Sequence, residues 1–209
     1  MKEEWRGVDG WSVLGSPAMS ARAKATAANY RGAVARGYEA RRVVQEKWHA
    51  EHAILAAWLA QYPAGSTVLD IPFGTGRFEP IYRGAGFRVI GRDISEDMLA
   101  EARRRIAPGW DIGTGNVLAI DLEDGAVDVA VCIRLLNMLD PAETARALRE
   151  LQRVARRAVI VSLRVGGEFG RLTRPAQVGE VTDALAPGWR LDEDRDIHKP
   201  RYRMIRLCR

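Results

Sequence analysis

Between Val68 and Phe78 the chain reads Val-Leu-Asp70-Ile-Pro72-Phe73-Gly74-Thr-Gly76-Arg-Phe. A carboxylate closes a short apolar run, and small residues then lead into a helical pattern. Such a turn lets the backbone approach a ligand closely and aims the amides of a helix N-terminus at it. Nicotinamide- and flavin-binding folds use similar turns, but their fingerprint needs a third glycine three positions beyond the second, where Glu79 stands. Asp70 is a further distinction: repulsive beside a pyrophosphate, favourable beside a cationic ligand. Asp93 closes a second apolar run 23 residues after Asp70. That offset is near the ~20 residues at which a ribose-binding acid follows such a turn. An ionised carboxylate accepting from a cis-diol gains about 1.5–3 kcal/mol per charge-assisted bond.

Periodicity supplies the elements that must hold these residues. Thr67–Ile71, Phe87–Asp93, Ala126–Ile133 and Ala158–Leu163 read as buried strands, and Trp110–Gly115 as a weaker one. The composition from Ala25 to about Ala60 is helical, with Val44, Trp48, His52, Leu55 and Leu59 drawing one apolar stripe before Tyr62-Pro-Ala-Gly65 ends it. Ser95 is placed to cap a helix whose first turn carries Glu96 and Asp97, with Met98, Leu99, Ala102 and Ile106 facing inward. Asp140-Pro-Ala-Glu143 combines an N-cap, a proline at the first helical position and a capping-box glutamate. Residues 175–186 predict another helix, and Trp189–Asp196 and Arg201–Cys208 two closing strands. Strands alternating with helices predict an α/β fold with helices on both faces of a mostly parallel sheet. Too little chain separates the last two strands for a helical crossover, so they should pair antiparallel.

With these elements in place, the sequence resembles the class I S-adenosylmethionine-dependent methyltransferases, in particular the broad methyltransferase-domain group of small-molecule type. Their first motif reads acid-x-Gly-x-Gly-x-Gly; Asp70, Gly74 and Gly76 match, and Pro72 replaces the first glycine. Val89-Ile-Gly-Arg-Asp93-Ile94 is similar to the second motif, whose terminal acid holds the ribose hydroxyls. Gly115-Asn116-Val117 falls where the family carries Gly-Asp against the adenine amino group; Asn116 keeps an acceptor oxygen and loses the charge. Val127-Asp-Val-Ala-Val-Cys-Ile133-Arg134 is similar to the fourth-strand motif, whose exit lies beside the methyl donor. The resemblance spans roughly residues 40–165. It implies a Rossmann-like, seven-stranded sheet with an antiparallel last strand and an N-terminal helical cap. It also implies S-adenosylmethionine as cofactor and S-adenosylhomocysteine as product. The implied cofactor contacts are Asp70, Pro72, Phe73, Gly74, Gly76, Asp93, Ile94, Asn116, Val117 and Ile133. Without a sustained period, residues 1–24 read as a flexible or loosely docked segment, ahead of one domain over 25–209 divided into a cap (25–62) and a core (66–209).

The acceptor side is less constrained. Arg134 and Asn137 follow the fourth strand, where parallel sheets place their ligand crevice. Arg134 suits either an acidic acceptor or a local carboxylate. Arg164–Arg174, with Gly166, Gly167 and Gly170, predicts a rim beside it. His52 sits on the apolar stripe and reads as a core histidine, and no catalytic residue is assigned. A sulfonium methyl is already activated, so positioning and water exclusion are the main tasks, and a base is needed only for a nucleophile of high pKa. Cys132-Ile-Arg-Leu lacks the Asp/Asn-Pro-Pro-aromatic signature of exocyclic-amine methylases, and Cys132 follows valine where a cytosine-C5 enzyme needs Pro-Cys, so DNA is set aside. A small-molecule hydroxyl, amine or carboxylate leads, with a lean towards an anionic acceptor. RNA-directed methylation is a rival that the basic surface would serve. A non-catalytic, cofactor-binding partner subunit is another, with Trp5 and Trp11 as interface anchors.

The composition agrees. The 209 residues are 47% hydrophobic and 28% charged, which is globular and room for one domain of ordinary size. No apolar run reaches the ~18–20 residues of a membrane span. Met1-Lys-Glu-Glu-Trp-Arg lacks the apolar core of a secretory signal, which sets a cytoplasmic expectation. Cys132 and Cys208 offer neither a zinc spacing nor a disulfide framework, so free thiols and no metal are expected. The net charge is +5, and lysine occurs only at 2, 24, 47 and 199, which suits an arginine-rich background better than a polyanion-binding surface.

Overall fold

The computed structural model describes residues 19–38, 46–106, 108–167, 170, 172–198 and 201–209. Seven strands form one sheet: β1 (Thr67–Asp70), β2 (Arg88–Asp93), β3 (Asp111–Thr114), β4 (Val127–Cys132), β5 (Ala155–Arg164), β6 (Arg190–His198) and β7 (Tyr202–Cys208). Their order is β3-β2-β1-β4-β5-β7-β6. The first five run parallel, and β7 lies antiparallel between β5 and β6, as the short connection between the last two strands requires. The strand order reverses between β1 and β4, so the carboxyl ends of those strands open a crevice there.

Alternation along each strand splits the core into two layers. Val68, Val129 and Val131 pack on one face with Leu55, Trp58 and Leu59 of α3 (Glu46–Leu59), Tyr82 of α4 (Glu79–Gly84) and Leu99 of α5 (Glu96–Arg105). Leu69, Ala130 and Cys132 pack on the other with Leu148 and Leu151 of α6 (Pro141–Val154) and Val181 of α7 (Val178–Thr182). Ala23 of α1 (Ala21–Asn29) joins this second layer, and α2 (Ala33–Arg36) follows it in the chain.

Local rules set the helix ends. Ser95 Oγ accepts from Met98 N, and Met98, Leu99 and Ala102 are buried. At α6, Glu143 N donates to Asp140 Oδ1 at 2.9 Å and Asp140 N donates to Glu143 Oε2 at 3.0 Å, a closed capping box. The helical stretch expected over 25–60 is divided instead. It begins at Ala21 and breaks at Gly32, whose φ of 52° lies outside the helical region; the segment around Val44 lies outside the described residues. Its buried face also differs: Glu51, Leu55, Trp58 and Leu59 are buried, while Trp48 and His52 are half-buried. The helix expected over 175–186 shortens to Val178–Thr182, between Pro175 and the Pro187–Gly188 turn. Both cysteines are free thiols, Cys132 buried and Cys208 half-buried. Among the described residues no helix is long and apolar enough to cross a membrane. Trp5 and Trp11 lie outside the described residues.

Candidate active site

A cavity opens at the carboxyl ends of β1, β2 and β4, and α1 contributes to its wall through Ala23, Thr26 and Ala27. The chain entering α1 is tied down, with Ser20 N and Oγ donating to Glu143 Oε1 and Oε2 at 2.6 and 2.9 Å. Pro72, Phe73, Gly74, Asp93, Ile94, Asn116, Val117, Ile133 and Arg134, all expected at a site, line it together.

At one end, Asp93 closes β2 and is 6% exposed. Its Oδ2 accepts from Gly74 N at 2.7 Å and its Oδ1 from Ser95 N at 2.8 Å, so one carboxylate joins the glycine-rich turn to the start of α5. Burial pushes this carboxyl up to about 6, against the lowering effect of its backbone hydrogen bonds. An ionised carboxylate has about four acceptor sites, which leaves capacity for further donors. Gly74 has φ of 59°, a conformation that glycine adopts freely. Asn116 is oriented differently from expectation. Its Oδ1 accepts from Leu118 N at 2.9 Å, while Nδ2 is buried with no hydrogen-bond partner, so the amide offers a donor to the cavity. Gly115 is required beside it: a Cβ there would stand 2.9 Å from Cβ of Arg92, whose guanidinium is held by Asp111 and Asp121.

Asp70 and Gly76 do not line the cavity. Asp70 is 2% exposed beneath the turn, facing the Tyr82 hydroxyl, and burial pushes its carboxyl up to about 8. It supports the turn from behind and does not present a charge to the cavity. Gly76 turns its α-carbon towards α5, where a Cβ would stand 2.1 Å from Cδ1 of Ile106. It therefore serves close packing.

The other end of the cavity is cationic. Arg134, just after β4, has φ of 63°, a strained conformation for a residue other than glycine that costs about 1–3 kcal/mol. Two interactions hold it: its N donates to Ser162 Oγ at 2.8 Å, and its Nε donates to both Glu51 carboxylate oxygens at 2.9 Å. Glu51 is fully buried and also accepts from Arg77 Nη2. Burial pushes the Glu51 carboxyl up, but Arg77 and Arg134 together hold it below the ordinary range. His52, next in sequence, stacks on Trp48; burial and then Arg77 depress it to about 4. It does not line the cavity.

Asn137 has another task than the acceptor-side one expected of it. Its Nδ2 donates to the carbonyls of Arg164 and Arg174, and its Oδ1 accepts from Arg164 N at 2.7 Å, which clamps the segment after β5. Arg174 turns away, donating to Leu139 O, Thr144 Oγ1 and Glu180. The expected rim is thus an anchored connection in its described part. The sequence reading passed over Arg77, Glu51 and the α1 wall. Arg77 stands inside the motif already quoted. Glu51 precedes Leu55 by one helical turn, which places a carboxylate on the buried face, a signal that demands a partner.

Comparisons with known proteins agree with this geometry. Residues 68–158 match the family described as "Methyltransferase domain". A probable S-adenosylmethionine-dependent methyltransferase of Mycolicibacterium smegmatis is 33% identical over 122 residues, 58% of this chain and 43% of that protein. A malonyl-[acyl-carrier protein] O-methyltransferase of Pectobacterium atrosepticum is 35% identical over 106 residues, 50% of this chain and 41% of that protein. The chain spans less than half the length of the curated relatives it matches. Magnesium protoporphyrin IX methyltransferase of Synechocystis PCC 6803, solved with its S-adenosylmethionine bound, superposes with a TM-score of 0.74 at 16% identity, covering 93% of this chain and all of that one. Motif, sheet order and matched domain coincide on one cavity. Over residues 68–158 the chain is thus similar to the methyltransferase-domain family, and its fold is that of solved S-adenosylmethionine-dependent methyltransferases.

Proposed function

We propose that the chain transfers the methyl group of S-adenosylmethionine to a small molecule at a hydroxyl, amine or carboxylate. The observation that carries this is Asp93, a carboxylate on the cavity wall with two backbone donors fixing it and acceptor sites to spare. The cavity fits the cofactor's parts in order. Asp93 suits the ribose hydroxyls, the orphaned Asn116 Nδ2 suits a ring nitrogen of adenine, Ile94 and Val117 flank it, and Gly74 admits the backbone's close approach. When bound, the cofactor supplies a methyl group already activated by its sulfonium. The chain's own residues bind, orient and exclude water: α1 covers the cavity, and Ile133, Leu135 and Leu139 keep the β4 exit apolar.

A small acceptor is favoured over RNA by how the arginines are engaged. Arg92, Arg103, Arg153, Arg156, Arg174, Arg195, Arg203 and Arg206 each pair with a nearby carboxylate, so the basic excess is dispersed into local ion pairs. Calorimetry with S-adenosylhomocysteine tests the donor assignment. Asp93→Ala removes two charge-assisted bonds to the ribose, and affinity is expected to fall about 100-fold. Unchanged affinity would remove Asp93 from the binding role. Turnover is tested with labelled S-adenosylmethionine against fractionated extract, where label is expected in small molecules.

A further inference from the structure

Two arginines on the cavity wall share one counter-ion. Arg77 comes from the glycine-rich turn and Arg134 from the exit of β4, and Glu51 of α3 is buried between them and bonded to both. A simple ion pair neutralises itself; here two guanidinium groups face one carboxylate and leave a net positive charge on a largely apolar wall. The neighbours do not cancel it. His52, depressed to about 4, is neutral, and Asp70, raised to about 8, is mostly protonated at neutral pH. Arg134 Nη2 lies 2.8 Å from Glu51 Oε2, whereas Arg77 Nε is buried without a hydrogen-bond partner, and the Arg77 side chain is 9% exposed. An excess cation with an orphaned N–H group calls for an anion, and the planar fork of arginine matches a carboxylate.

We propose that Arg77 and Arg134 bind a carboxylate carried by the methyl acceptor, with Glu51 as the fixed counter-charge that holds both guanidinium groups in place. The proposal rests on the methyl-transfer reading above and names the acceptor class for that site. Leu135, Met138 and Leu139 on the same wall supply apolar contact for the acceptor's hydrocarbon body. The methionyl carboxylate of the donor is a second source of the same chemistry, and the test separates the two.

The full chain is first titrated with S-adenosylhomocysteine, which reads the donor assignment alone. Protein saturated with it is then titrated with benzoate and octanoate, and with their neutral isosteres benzamide and octanamide. At least one acid is expected to bind about ten-fold or more tightly than its amide. Arg134→Gln is expected to abolish that preference, and Arg134→Lys, which keeps the charge and loses the fork, to reduce it. Glu51→Gln removes the counter-charge and keeps both cations, so the preference should increase, a direction that a merely structural role would not produce. Circular dichroism confirms that each variant is folded, and Arg77→Gln stands in for Arg134→Gln should the latter not fold. The ratio of S-adenosylhomocysteine affinity to that of 5′-methylthioadenosine, which lacks the carboxylate, should be the same in wild type and variants. Equal binding of acids and amides, or binding of neither, overturns the proposal. So does an Arg134→Gln that weakens S-adenosylhomocysteine but not 5′-methylthioadenosine, which would give the arginines to the donor. Failure of S-adenosylhomocysteine to bind wild type would overturn the donor reading itself, and this proposal with it.

Discussion

The two ends of the cavity are assembled over very different distances in sequence. At the Asp93 end, the carboxylate contacts Gly74 and Ser95, 19 and 2 residues away. At the Arg134 end, Glu51 reaches Arg77 across 26 residues and Arg134 across 83, and Ser162 supports Arg134 across 28. The first end is made of backbone amides and one acid set at strand ends, the second of buried side-chain charges drawn from α3, a turn and two strands. Hydrogen bonds from backbone define the Asp93 end, so it tolerates little change in loop geometry. A charge balance defines the Arg134 end, so its weak point is the loss of any one partner.

That difference predicts where stability resides. Glu51→Leu leaves two guanidinium groups buried with no counter-ion, and breaking such a cluster costs about 3–5 kcal/mol. Urea denaturation should show a loss of this size in the ligand-free protein, the largest single-site effect expected here. A loss below about 1 kcal/mol would mean that water or rearrangement solvates the arginines, and the two ends would then be alike.

The same contrast separates what could be read from sequence. The glycine-rich turn, the Ser95 cap and the Asp140–Glu143 capping box are local patterns whose physics acts within one or two turns of chain, and they were legible. The parallel sense of the first five strands followed from their alternation with helices, and the antiparallel pairing of the last two from the short β6–β7 connection. The position of Asp70 beneath the turn was not legible, because a strand-end acid in a turn motif looks alike whether it faces the cavity or lies beneath it. That choice is made by Tyr82 of α4, a helix the motif does not include. Asn137 and Arg174 carried the right chemistry for an acceptor site, but the segment after β5 needed them for its own backbone. The Glu51 cluster was illegible for a different reason: its charge balance exists only once α3 is packed on the sheet.

A pH titration separates folding from binding at the Asp93 end. Burial raises Asp93 to about 6 and Asp70 to about 8, so the folded state holds these protons more tightly than the unfolded chain does. The stability they contribute is full below the unfolded carboxylate range and is lost as pH rises through 6 and then 8. Glu51, Glu150 and Glu180 are held low instead, and their contribution is lost only as pH falls below about 4.5, their ordinary value. The ligand-free protein should therefore melt highest near pH 4.5 and lose stability steadily as pH rises from there to about 8. On the proposed reading, ribose binding uses ionised Asp93 and has the opposite sign: S-adenosylhomocysteine affinity should fall about ten-fold from pH 7.5 to 5. Asp93→Asn should flatten that step. Melting temperature and affinity moving together with pH would show that another group governs binding.

The smallest effect isolates the scaffold from both ends. Asp140 caps α6 by accepting from Glu143 N, and it is not among the residues that line the cavity. Asp140→Ala removes that acceptor and should cost about 1 kcal/mol in urea denaturation. Glu143 keeps its bonds to Ser20 N and Oγ, so the chain entering α1 stays tied at the cavity wall. S-adenosylhomocysteine affinity should then be unchanged, because the cap acts on helix stability and the tie acts on the cavity. A drop in affinity that tracks the loss of stability would show that the capping box also positions Glu143 for Ser20, so that one carboxylate couples the start of α6 to the cover of the site.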